Sequence, residues 1–160
     1  MDETAAASLV DFLLEAKRRT YAGLDDDATI AAPLISGSKQ LEYRRGDMSY
    51  RDIYFGLAYF VGQEVVTVKQ RPVWSMSYAG GTLPEIAVRD EVLSTYGFLR
   101  KALLRVSADR PFRGPAQFDE GRYRYVNTSE GAFAAFRGTE EILREGKRVY
   151  ALHYSGGLLR

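Results

Sequence analysis

Cysteine is absent from the 160-residue chain, so it can hold no disulfide, no thiolate metal site and no cysteine nucleophile. Histidine occurs once, at His153, which excludes a Cys/His dyad and leaves almost nothing with which to build a zinc site. Excess charge of one sign is also missing. The formal net charge is +1, so no global field draws the chain to nucleic acid or an anionic membrane, and direct nucleic-acid binding is not expected. No apolar run approaches the length of a bilayer crossing, and the acidic start MDETAAASLV lacks the features of a signal peptide. These absences lead to the expectation of a cytoplasmic protein with no membrane association and no cofactor.

What is present is a repeated pattern. Residues 43–81 and 118–157 align with one residue inserted near Phe136. Gly46, Tyr50, Gly56, Phe60, Gly62 and Glu64 fall on Gly121, Tyr125, Gly131, Phe136, Gly138 and Glu140. Further on, Val73 falls on Val149, Tyr78 on Tyr154, and Gly80-Gly81 on Gly156-Gly157. Each unit follows a helical stretch with the same FLxxA string, at Phe12 to Ala16 and Phe98 to Ala102. We therefore expect one domain, residues 1–160, made of two repeats at about 5–81 and 90–157.

The first helix carries Leu9, Phe12, Leu13 and Ala16 as a stripe, with Asp2 or Thr4 as cap and Gly23 as stop; Lys17, Arg18 and Arg19 suit its negative pole. Residues 24–40 read as a loop. A meander follows, with strands near 48–54, 57–68 and 72–79. A second helix spans 90–106, with Val92, Tyr96, Leu99, Leu103 and Val106 on one face, and a second meander follows Pro111, Gly114 and Pro115. Arg144-Glu145-Gly146-Lys147 is a hairpin signal, matched by Lys69-Gln70-Arg71-Pro72. Phe-x-Gly at 60–62 and 136–138 suggests a bulge or a close backbone approach. The expected fold class is α+β: helix–β–β–β units duplicated internally, with antiparallel sheet and two helices packed on one side. Whether there is one sheet or two is left open.

Strand alternation places Tyr50, Asp52 and Tyr54 on one face with Met48, and Trp74, Met76 and Tyr78 on one face of the third strand. Aromatic walls with a few oriented polar groups are what a small-molecule pocket needs. Such a stripe beneath helices also serves simply as core. Asp52 and Glu64 are unusual inside apolar strands and need a partner, which Arg51, Arg71, a tyrosine hydroxyl or a ligand could supply. Across the repeats Asp52 becomes Asn127, Tyr54 becomes Ser129 and Trp74 becomes Tyr150, so the first unit is the better equipped. The weaker signals include His153 without a GxSxG elbow, the acidic turn Asp25-Asp26-Asp27, and glycine pairs without a phosphate-loop pattern. Arg113-Gly114-Pro115, near Arg110 and Lys101, reads as a plain turn, with anion binding as the alternative.

Several strings together carry a family resemblance. They include Phe12-Leu13 with Ala16-Lys17, Ser36-Gly37-Ser38 before Leu41-Glu42-Tyr43, and Tyr50-x-Asp52-x-Tyr54-x-Gly56. Phe60-x-Gly62-x-Glu64, Pro72-Val73-Trp74-x-Met76-x-Tyr78 and Phe112-Arg113-Gly114-Pro115 follow in order. With these the chain resembles a bacterial domain-of-unknown-function family, number 5680 of that series. The resemblance implies a protein standing alone or fused C-terminal to a helix-turn-helix domain, in a sensor or effector-binding role, and it brings no catalytic residues.

The residues lead to three functional expectations. The first is binding of an unidentified small organic molecule by Tyr50, Asp52, Tyr54, Glu64, Trp74 and Tyr78. The second is a protein-interaction module, pairing with a partner or with itself as a homodimer, using the face of Val73, Ser75 and Ser77. The third is an enzyme with Asp52 or Glu64 as general base.

Overall fold

A computed structural model describes residues 3–20 and 32–160. Helix α1 (Glu3–Arg19) is followed by strands β1 (Lys39–Arg45), β2 (Met48–Gly56), β3 (Tyr59–Val68) and β4 (Arg71–Thr82). Helix α2 (Arg89–Leu103) then leads to β5 (Gln117–Glu120), β6 (Tyr123–Ala132), β7 (Ala135–Arg144) and β8 (Lys147–Leu158). The strands form a single antiparallel sheet in the order β1-β2-β3-β4-β8-β7-β6-β5. The class is α+β. Where β4 meets β8 the register is centred on Tyr78 opposite Tyr154.

Each half contributes four strands, one more than the meanders expected from sequence. The additional strands, β1 and β5, are the two edges of the sheet. Both are polar (KQLEYRR and QFDE), because an edge strand that is short and charged resists pairing with other chains. Their composition therefore hides them from a reading based on β propensity. Thr4 falls inside α1 and so is not its cap, while Asp2, the stop at Gly23 and the acidic turn Asp25-Asp26-Asp27 lie outside the described residues.

The hairpin turns follow local chemistry. Glu145 and Gly146 have φ of 52° and 79°, and Lys69 and Gln70 have 49° and 66°. Two successive positive φ values are the two-residue turn whose twist suits flanking strands. In both hairpins an extra residue enters the ladder just after the turn, with register shifts at Val66/Thr67 and Ile142/Leu143. The bulges are therefore here and not at Phe-x-Gly, where pairing is unbroken. Gly62 instead meets a close approach: a Cβ there would lie 2.3 Å from the Tyr78 hydroxyl.

Helix stripes and one sheet face make a common core. Leu9, Phe12, Leu13 and Ala16 from α1, and Val92, Phe98, Leu99 and Ala102 from α2, join Tyr50, Val66, Trp74, Met76, Tyr150 and Leu152. Trp74 is fully buried between Phe133 and Phe136, both stacked on it with ring centroids 5.8 and 5.9 Å away. The opposite face of the sheet is open.

Candidate functional site

Inside this apolar core sits a line of charges. Asp52 on β2 lies directly across from Glu64 on β3, so both carboxylates project onto the helix-covered face. Asn127 on β6 faces Glu140 on β7 in the same way. Asp52, Glu64 and Glu140 are 0–2% exposed. Two cations answer them, one from α1 and one from the segment before β5. Lys17, from the last turn of α1, forms an ion pair with Glu64 Oε2 at 2.7 Å and donates to the Phe112 carbonyl at 2.5 Å. Arg113, just before β5, forks onto Glu140 through Nη2 at 2.6 Å and Nε at 3.1 Å. Tyr125 and Tyr150 donate their hydroxyls to the same carboxylate at 2.6 and 2.7 Å.

Two anions and two cations balance, and Asp52 is the fifth group. Its Oδ1 accepts from the Tyr78 hydroxyl at 2.6 Å, and no described residue hydrogen-bonds its Oδ2. Burial, and next the charge of Glu64, push the Asp52 carboxyl up from its ordinary 3.8 to about 7. The protonated form leaves the cluster neutral. For Glu140, burial pulls upward too, but Arg113 and the hydroxyl donors outweigh it and hold the carboxyl below its usual range. Burial depresses the Lys17 ammonium, against the opposing pull of Glu64. In the second half Tyr154 donates to Asn127 Oδ1 at 2.7 Å, the contact that Tyr78 makes with Asp52.

The six residues expected to line a pocket are thus divided. Tyr50, Asp52, Glu64, Trp74 and Tyr78 are brought together but lie 0–3% exposed, beneath the helices. Tyr54 alone is half-buried. Of the partners foreseen for the carboxylates, the tyrosine hydroxyl is the one found on Asp52; Arg51 instead pairs with Glu42 at 2.5 Å. Sequence reasoning missed Lys17, which it read as a dipole residue, and undervalued Arg113, which holds a carboxylate of its own chain. A signal existed for Lys17: it follows Ala16 and lies four residues past Leu13 on the apolar stripe, where a lysine reaches into the core only if an acid awaits it.

At the end of this core is a cavity of about 100 Å³ between α2 and the β2–β3 hairpin. Tyr54, Phe60, Tyr78 and Tyr96 wall it, and Lys39 and Arg100 stand at its mouth. The Tyr96 hydroxyl closes one side by donating to the Leu57 carbonyl at 2.8 Å. A larger, shallower trough of about 790 Å³ runs over the open sheet face between Val61, Ser77, Thr128, Arg137, Thr139 and His153.

The model of a known protein family, a domain of unknown function designated DUF5680, matches residues 52–159, from the buried aspartate almost to the end of the chain. The chain belongs to the DUF5680 family. The matched DUF5680 span takes in Asp52, Glu64, Arg113 and Glu140 but begins after α1 and β1, so Lys17 and Lys39 lie outside it. No curated protein and no solved structure matches the chain. Among the described residues no helix is long and apolar enough to cross a membrane.

Proposed function

We propose that this DUF5680 domain binds a small organic molecule in the cavity between α2 and the β2–β3 hairpin, as a ligand-binding module of the sensor or effector-binding kind. The observation that carries the reading is the cavity itself: four aromatic walls with two cations at the mouth. Tyr54 and Tyr78 are the direct contacts, while Tyr50, Asp52, Glu64 and Trp74 form the rigid backing. The hydrogen bond from Tyr78 to Asp52 fixes one wall ring from behind. The reading also treats the chain as two repeats, of which the first has kept a site.

A ligand-observed NMR screen of small fragments tests it, followed by the same hits on Tyr54→Ala and Tyr96→Ala. Hits that weaken at least tenfold in both variants support the cavity. Hits indifferent to both variants, or no hit at all, would sink it.

A second reading, self-association through the open sheet face, rests on one specific contrast. The cross-strand pair Phe55–Val61 is exposed and apolar, whereas Glu130–Arg137 in the other half is an exposed salt bridge. Light scattering that gives a monomer across the micromolar range removes it. A general-base role for Asp52 or Glu64 is less supported, since both are sealed in the core and neither lines the cavity or the trough.

A further inference from the structure

The cavity has a filled counterpart in the other half of the molecule, and comparing the two points to the chemistry of the missing occupant. Leu41 pairs with Asp52, and the backbone N–H of Asn127 donates to the Ala116 carbonyl, so Ala116 stands to Asn127 as Leu41 stands to Asp52. Counting back four residues from each places Phe112-Arg113 where the first half has Gly37-Ser38. In the second half Phe112 is buried and stacks on Phe136, with ring centroids 3.8 Å apart and planes within 16°. In the first half the position carries no ring: a Cβ on Gly37 would meet nothing within 4 Å.

Phe60, which matches Phe136, is consequently left without a face-to-face partner among the described residues. Its neighbours Tyr54, Tyr78 and Tyr96 meet it edge-on at 67–70°, and Tyr150 is tilted. Phe60 lines the cavity. The volume of about 100 Å³ is in the range of one aromatic ring, since an apolar cavity of roughly 150 Å³ accepts benzene.

The mouth sets the charge. Lys39 and Arg100 are both exposed there, the Lys39 ammonium lies 5.9 Å from the Tyr54 ring centroid, and among the described residues no carboxylate lines the cavity. A guanidinium presents a planar fork that matches a carboxylate. Resting on the cavity reading above, we infer that the ligand is a single-ring aromatic carboxylate. Its ring occupies on Phe60 the place that Phe112 takes on Phe136, and its carboxylate meets Arg100 and Lys39.

The test titrates the full chain with benzoate, benzamide and cyclohexanecarboxylate, following backbone amide shifts by NMR. Lys39→Ala and Arg100→Ala are titrated alongside; both side chains are exposed, so these variants are expected to fold. The inference predicts that benzoate moves the amides of Tyr54, Phe60 and Tyr96. It predicts affinity at least tenfold weaker for the other two probes and at least tenfold weaker for benzoate in one or both variants. Benzamide or cyclohexanecarboxylate binding in the cavity as well as benzoate does would overturn the ligand class while leaving the cavity reading intact. So would a fragment of different chemistry binding there when benzoate does not. Benzoate shifting only amides outside the cavity also overturns the class, and an absence of any cavity binder overturns both readings.

Discussion

Asp52→Asn isolates the charge balance of the core in a single substitution. The folded-state carboxyl lies at about 7 against an ordinary 3.8, so between those values the native protein holds a proton that the unfolded chain has released. Stability therefore falls as pH rises through that window and levels off above it. Linkage puts the full cost of ionising this group at about 4 kcal/mol, and the part lost between pH 5 and pH 8 at about 2–3 kcal/mol. Asparagine cannot ionise, and Tyr78 can donate to its Oδ1 as Tyr154 donates to Asn127. Its amide group needs an acceptor, which Asn127 finds in the Gly114 carbonyl at 2.9 Å. If the new amide finds none, the variant loses about 1–3 kcal/mol at every pH. That penalty does not change the slope, so the slope is the readout. Urea unfolding followed by far-UV circular dichroism at pH 5, 6, 7 and 8 measures it. The variant should lose about 2–3 kcal/mol less than the wild type between pH 5 and pH 8. Parallel profiles would refute the reasoning and show Asp52 ionised in the native core.

Other expected outcomes follow from the same geometry. Lys17→Met strands the Glu64 carboxylate and should cost about 3–5 kcal/mol, whereas Lys17→Met with Glu64→Leu should recover most of it, since an apolar pair replaces a balanced ionic one; chemical denaturation of both variants decides. Gly62→Ala should destabilise by about 1–3 kcal/mol, because the new methyl collides with the Tyr78 ring, while Gly46→Ala, whose Cβ has open space but a φ of 57°, should cost less than that. The sole tryptophan is 0% exposed, so its fluorescence should resist iodide quenching in the native state and become quenchable in urea. Quenching of the native protein would contradict a sealed aromatic core.

Much of the fold is legible along the chain. The i, i+3, i+4 stripes mark both helices, and the period-two alternation marks the six inner strands, because those elements bury one face and must be patterned for it. The face shared by Tyr50, Asp52 and Tyr54 follows from the same alternation. The edge strands are not legible: Lys39–Arg45 and Gln117–Glu120 are extended because β2 and β6 offer them backbone partners, and their own residues favour no strand. Nor does the sequence reveal which cation meets which acid. Lys17 lies 47 positions from Glu64 and Arg113 27 from Glu140, separations that only the packing of α1 and the approach to β5 can close.

The candidate site divides along the same line. Aromatic and acidic residues interleaved on strands are a property of the sequence. That four of the six expected residues are sealed, and that the open space lies beside Tyr54 and Tyr78, was decided when two helices covered one sheet face. That space lies beside Phe60, where no described ring stacks face to face as Phe112 does on Phe136. Local pattern determines which face each side chain takes, since that depends on neighbours in sequence. Burial, charge pairing and cavities depend on surfaces brought together from distant parts of the chain, and only the tertiary structure sets them.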